Sequence, residues 1–223
     1  MTKKPLDARS VLHEQFARIG KAVASPRRIE LLELLCQGER SVDALARATG
    51  TAVTNVSQHL QELKAARLVA TRREGTRIYY RAAGDQVCRF TSELGAVARA
   101  MLVEVERIAH EYFEGRDTLE PITREELLER LSRRDVVIID VRPEEEYRSG
   151  HIVGAISVPL DDLGRRLRRL PKSKLIVAYC RGPYCVLAPQ ALALLRARGF
   201  RARRLEDGLP EWRAAGLPLA SGS

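Results

Sequence analysis

Three apolar runs in the second half of the chain, DVVIIDV (135–141), HIVGAISVPL (151–160) and KLIVAYC (174–180), restrict its fold more than any other feature. Each is apolar without strict alternation, the pattern of a strand buried on both faces. A fourth candidate strand, RARRLED (201–207), follows, and DDLGRRLRRL and VLAPQALALLRARG between the strands carry helical spacing. Strands alternating with helices predict an α/β domain built on a parallel sheet. In such sheets reactive groups collect beyond the carboxyl ends of strands, and Cys180 stands at one.

The first half has a different grain. VLHEQFARIGKAV spaces Leu12, Phe16, Ile19 and Val23 at helical intervals, and Ser25-Pro26 then supplies a second helix start. The helix RRIELLELLCQG stops at Gly38, and Ser41 reads as the N-cap of VDALARATG, which ends at Gly50. The next helix, AVTNVSQHLQELKAARL, sets Val53, Val56, Leu60, Leu63 and Leu68 on an apolar face, leaving amides, hydroxyls, His59 and Lys64 largely elsewhere. A short helix, a tight turn and a polar-faced helix make a helix-turn-helix. LVATRREGTRIYYRA alternates on both sides of Glu74-Gly75, a hairpin with basic residues near its tip. Short amide and hydroxyl side chains suit base edges in a major groove, while Arg and Lys suit phosphates. The polar helix offers the first set and the hairpin the second, so double-stranded DNA is the expected partner. Residues 85–113 read as one long helix with Phe90, Leu94, Val97, Met101, Val105 and Ile108 in a stripe, either buried against a second copy in a homodimer or packed on its own domain.

Length allows two domains in 223 residues, and 45% apolar with 30% charged residues is the balance of a soluble globular protein. A Gly and Pro break in EGRDTLEPITREEL, with a Thr123/Glu126 capping box after it, places a linker at 114–122 between a domain at 1–113 and another at 123–223. No stretch approaches the roughly 20 apolar residues of a membrane span, and MTKKPLDARS has no apolar signal core, so no membrane association and a cytoplasmic location are expected. Net charge is +9, divided as +4 over residues 1–117 and +5 over 118–223. Residues 51–81 hold six basic and two acidic residues, a local patch coinciding with the proposed DNA-reading segment.

Four cysteines, Cys36, Cys88, Cys180 and Cys185, are too few and dispersed for a disulfide scaffold, and a reducing compartment would keep them as thiols. The loop CRGPYC runs from a buried strand into a helix, so the N–H groups of residues 181–185 and the helix N-terminus can converge on one sulfur. With Arg181 adjacent, Cys180 is expected to be a thiolate, its pKa lowered by one to several units from about 8.5. A buried structural cysteine is the alternative. Phosphatase and arsenate-reductase loops need an arginine six positions after the cysteine, and Val186 stands there. A zinc clip would need two more ligands nearby. His13, His59, His110 and His151 are scattered without ligand spacing, so neither a metal nor a cofactor is expected.

Residues 10–112 resemble the ArsR/SmtB family of winged-helix repressors, through SPRRIELLELLCQGERSVDALARATGTAVTNVSQHLQELKAARLVATRREGTRIYYRA. The resemblance implies dimers that leave an operator when an inducer binds. It puts base-reading positions on Thr54, Asn55, Ser57, Gln58 and His59, and the wing on Arg72 to Arg77, with Lys64, Arg72, Arg73 and Arg77 as cations for phosphate. Metal-sensing members carry Cys-x-Cys where this chain has Ser41-Val42-Asp43. Some members join two distant cysteines in response to persulfides; Cys36 and Cys88 are either such a thiol sensor or plain packing, and their spacing does not place them within disulfide reach.

Residues 121–220 resemble a rhodanese domain, through DVRPEEEYRSGHIVGAISVPL, YCRGPYC and LEDGLPEWRAAGLPL. That resemblance implies that Cys180 takes sulfane sulfur from thiosulfate or a persulfide. Arg181, Gly182, Pro183, Tyr184 and Cys185 would form its cradle, and Asp140, Arg142 and His151 its structural or near-site support. Three positions depart from the pattern: Val153 replaces a proline, Cys185 an arginine, and Asp207 a glycine. Cys185 would either resolve a Cys180 persulfide or pack the helix start. The expected whole is a repressor whose rhodanese domain reports reactive sulfur or thiol stress. The alternative is a working sulfurtransferase in which the winged helix serves dimerisation.

Overall fold

The computed structural model describes residues 7–109, 111, 121–182 and 185–222, without the side chains of residues 106 and 109. These residues fall into two compact units that divide between Thr91 and Ser92. The linker read at 114–122 lies outside the described residues up to 120.

The first unit opens with α1 (Ala8–Val23) and α2 (Pro26–Cys36). A two-residue strand β1 (Arg40–Ser41) leads to α3 (Val42–Thr49), α4 (Val53–Ala65) and the hairpin β2 (Val69–Glu74) and β3 (Arg77–Ala82). The predicted stops are physical. Ser41 Oγ accepts from the Ala44 N–H at 3.2 Å, and Gly50 takes the left-handed conformation (φ 59°) that ends α3 and turns the chain toward α4. Gly75 (φ 58°) turns the hairpin, whose register pairs Glu74 with Arg77, and β1 completes a three-stranded sheet on β3. Leu31, Leu32, Leu45, Val56, Leu60 and Leu63 are fully buried between these helices. Val53 departs from the expected apolar face of α4, standing 45% exposed at the helix start.

The predicted long helix is broken. α5 (Asp85–Met101) ends where the Leu102 N–H bonds Ala98, and α6 (Val103–Ala109) restarts through a tighter Val105 to Leu102 turn. Residues 110 and 112–113 lie outside the described residues.

The second unit is α/β. After α7 (Arg124–Ser132) come β4 (Val136–Asp140), α8 (Glu144–Ser149), β5 (His151–Ile152), β6 (Ile156–Ser157), α9 (Leu163–Arg166), β7 (Leu175–Tyr179), α10 (Leu187–Ala197), β8 (Ala202–Arg204), α11 (Leu209–Ala214) and β9 (Leu219–Ala220). The parallel sheet runs β6-β4-β7-β8. β7 is buried along its entire length between two apolar layers, which explains its unbroken apolar sequence. The expected strand 151–160 is instead two strands in different sheets, because Gly154 (φ 81°) makes a turn closed by the Ala155 N–H on Ile152; β5 pairs antiparallel with β9 and β6 joins β4. No helix among the described residues is long and apolar enough to cross a membrane.

Candidate functional site

α4 carries the side chains expected to read DNA. Thr54, Asn55 and Gln58 are exposed and Ser57 and His59 half-buried on the side away from Val56, Leu60 and Leu63, and Lys64 is exposed in the last turn. Ala52 precedes the helix without a side-chain cap, and Gln61 donates to the Tyr80 hydroxyl at 3.1 Å, tying α4 to β3. On the wing the three arginines differ. Arg77 is exposed at the tip, and Arg73 donates to the Gly75 carbonyl. Arg72 is gripped by Glu39 (2.7 Å) and Glu74 (2.6 Å) and lies 4.8 Å over the Tyr79 ring. Its first employment is therefore to hold the hairpin, and it can reach a phosphate only in exchange for a carboxylate.

Cys36, at the end of α2, and Cys88, in the first turn of α5, are joined in a disulfide with Cα atoms 5.5 Å apart. This differs from the four free thiols expected of a reducing compartment: residues 52 positions apart in sequence are bonded, and Cys180 and Cys185 are free. Their meeting follows from the packing of α5 beside the end of α2, a tertiary fact.

The second candidate site is the loop after β7. Cys180 is buried (3% exposed), and its Sγ lies 3.7 Å from the carbonyls of Gly182 and Cys185. Pro183 and Tyr184 lie outside the described residues. The expectation of a Cys180 thiolate needs correcting. Burial, followed by the hydrogen bond to Cys185 and that sulfur's charge, pushes the Cys180 thiol well up, against smaller downward pulls from the Gly182 and Ala188 backbone. Cys185 is instead lowered to about 7, chiefly by the hydrogen bond donated from Cys180, with further help from the Arg181 and Leu187 backbone. The two thiols at this strand-to-helix corner titrate as a coupled pair, with Cys180 pushed up and Cys185 pulled down. Arg181 does not point freely at either sulfur: it forks onto the buried Glu146 at 2.6 and 3.1 Å.

Asp140, Arg142 and His151 form the frame. Asp140 and Arg142 are fully buried; Arg142 donates to both carboxylate oxygens and to the Gly150 carbonyl at 2.7 Å. The Tyr179 hydroxyl donates to Asp140 at 2.6 Å and accepts from the Ile152 N–H at 3.1 Å, so one network ties β4, β5 and β7 immediately before Cys180. His151 stacks on Tyr147 at 3.7 Å with Nδ1 on the Tyr147 carbonyl. Sequence reasoning missed two residues. Glu146 anchors Arg181, and Gly208 lets α11 approach the loop: a Cβ there would sit 2.3 Å from the Gly182 nitrogen. The Gly208 N–H is in turn held by Glu211 at 2.9 Å, and the Leu209 N–H bonds the Cys180 carbonyl at 3.3 Å. Asp207, the residue in place of a glycine, pairs with Arg124 at 2.8 Å.

The bacterial regulatory protein arsR-family model matches residues 25–71, and the rhodanese-like domain model matches residues 123–215. A relative in Mycobacterium tuberculosis, the HTH-type transcriptional regulator Rv0324, is 48% identical over 217 residues, covering 97% of this chain and 95% of its own length. The chain belongs to the ArsR family of transcriptional regulators. This ArsR-family regulator is two-domain, its winged helix-turn-helix followed by a rhodanese domain. The second half also matches a sulfurtransferase from Allochromatium vinosum, 32% identical over 102 residues, 45% of this chain and 94% of that protein. Among solved structures, a homodimeric winged helix-turn-helix DNA-binding fragment from Mycobacterium bovis is 48% identical and covers 46% of the regulator, with a TM-score of 0.42.

Proposed function

We propose that this regulator represses transcription as a cytoplasmic homodimer bound to a palindromic operator, and that sulfane sulfur arriving at the CRGPYC loop releases it. The observation that carries the sulfur half of this reading is the pair of free cysteines at the carboxyl end of β7, where Cys180 Sγ lies 3.7 Å from the Cys185 carbonyl and the Cys185 thiol is lowered to about 7. For DNA, Thr54, Asn55, Ser57, Gln58 and His59 of α4 face base edges, and Lys64, Arg73 and Arg77 meet phosphates, with Arg72 bracing the wing. Dimerisation is supported by apolar side chains left exposed on α1 and α5: Leu12 and Phe16, with Phe90, Val97 and Met101.

The chemistry follows from the pair. Cys180 attacks the sulfane sulfur of a donor such as thiosulfate while the neighbouring Cys185 thiolate takes its proton; sulfite leaves, and Cys180 carries the persulfide. Cys185, once it loses that proton, can attack the inner sulfur, forming a Cys180–Cys185 disulfide and expelling hydrosulfide. A population shift between DNA-competent and incompetent dimers would connect loading to release. Cys36 and Cys88 provide a second thiol element within the DNA-binding unit, with the bonded and reduced forms as its two states.

An active sulfurtransferase with an accessory DNA-binding domain is the rival, favoured by the match to the Allochromatium protein. Mass spectrometry after thiosulfate or polysulfide treatment tests loading: wild type gains one sulfur on Cys180 and Cys180→Ser does not. No gain on wild type rejects loading. Rapid thiosulfate:cyanide turnover with DNA affinity unmoved by loading favours the enzyme.

A further inference from the structure

From Leu163 to Leu205 the chain holds twelve Lys and Arg and not one Asp or Glu. This run alone outweighs the +9 of the whole protein, so the remainder is net negative. Five of the twelve are occupied inside the unit: Arg166 on the Ser157 carbonyl, Arg181 on Glu146, Arg196 on the Ala202 carbonyl, Arg203 on Glu126, and Arg204 within the core. Arg165 is 86% exposed and only loosely met by Asp162 at 3.5 Å. The other six, Arg168, Arg169, Lys172, Lys174, Arg198 and Arg201, make no ion pair among the described residues, and all except the half-buried Lys174 are exposed.

The fold gathers Lys172, Lys174, Arg198 and Arg201 at one pole, with Arg168 and Arg169 exposed on the segment that leads into it. Lys174 immediately precedes β7 and Arg201 precedes β8, so both lie at the amino ends of parallel strands, the end opposite Cys180. The Ile176 N–H bonds the Arg201 carbonyl at 2.9 Å. The Lys172 amine sits 5.4 Å over the Phe200 ring and next to Gly199, which brings the 168–174 segment against the 198–201 turn. The nearest acid along the strands, Asp135, gives its carboxylate to Arg130. Ordinary soluble surfaces intersperse both signs, which keeps local fields small; a pole where basic side chains outnumber one carboxylate already met by Arg130 suits a polyanion.

We propose that this pole of the rhodanese domain is a second nucleic-acid surface, which binds the phosphate backbone of duplex DNA without reading bases. Duplex DNA carries a charge about every 1.7 Å, and each neutralised phosphate releases counterions. In a regulator whose other domain binds DNA, duplex is held close, and tethering makes even a weak second contact effective. The proposal depends on DNA binding by the regulator and not on the sulfur chemistry of the loop.

The test uses the full-length protein and a random-sequence duplex of about 40 base pairs, with anisotropy followed across salt concentrations. Replacing Arg168, Arg169 and Arg201 together by Gln should lower the slope of log K against log salt by about 2 to 3, near 0.9 per lost phosphate contact. Wild-type hydrogen exchange should also slow at 165–174 and 198–201 when the duplex is added, an arm that needs no variant. An unchanged slope in a triple variant that melts like wild type overturns the proposal. So does exchange unaffected by duplex but slowed by anionic lipid vesicles or by single-stranded RNA.

Discussion

Burial pushes the Cys180 thiol up while its neighbour Cys185 is pulled down to about 7, and this difference decides which sulfur an electrophile meets first. Iodoacetamide should modify Cys185 with a midpoint near pH 7, rising with pH as its thiol ionises, while Cys180, buried and activated only when Cys185 takes its proton from it toward a donor seated in the loop, should be alkylated more slowly. Cys180→Ala removes the donor that lowers the Cys185 pKa, so the midpoint should move upward; faster alkylation of Cys180 than of Cys185 at pH 7 would refute this ordering. The loop also depends on a missing side chain. Gly208→Ala places a methyl 2.3 Å from the Gly182 nitrogen, within backbone that cannot swing aside as a long side chain would. It should abolish sulfur loading, read as mass on the loop peptide, with the winged-helix signals in an NMR spectrum unchanged. The position of Cys180 beyond a buried strand was legible from KLIVAYC. The site of the charge was not, because it depends on the depth of burial and on a hydrogen bond between two side chains. Gly208 lies 26 positions from Gly182 and carried no local sign of their contact.

Helices and strands with internal capping or buried apolar runs were readable: Ser41 and Gly50 bracket α3, and β7 is buried as its composition requires. Elements shaped by neighbours were not. A glycine turn divides 151–160 between two sheets, and the break after Met101 falls in a stretch whose apolar spacing runs through it. The α2–α5 disulfide is the clearest case, since neither helix signals the other. Closing a loop of this length should stabilise the first unit by about 2–4 kcal/mol through the unfolded state. Reduction, or Cys88→Ser, should lower its thermal midpoint accordingly; calorimetry giving the same midpoint with and without reductant would contradict a bonded pair. The Asp140–Arg142 pair predicts a larger effect in the second unit. Arg142→Ala leaves a fully buried carboxylate with, among the described residues, the Tyr179 hydroxyl and the residue 142 N–H as its remaining donors, and should cost about 3–5 kcal/mol in urea denaturation.

At the scale of the whole molecule, two charge distributions and two thiol sites are combined in one regulator. α4 and its wing have the residue types for base edges and phosphates, and the acid-free run from 163 to 205 gives the rhodanese domain a field of its own. Exposed Leu12, Phe16, Phe90, Val97 and Met101 should be covered in a homodimer, so sedimentation should give twice the 25.0 kDa chain mass, and Phe16→Glu with Val97→Glu should give the monomer. The joining of the sulfur loop to DNA affinity is tested most directly by operator gel shift with and without polysulfide, on wild type and Cys180→Ser. Release of wild type alone is the predicted result. Equal release of both proteins, or of neither, would contradict a regulator governed by sulfur at Cys180.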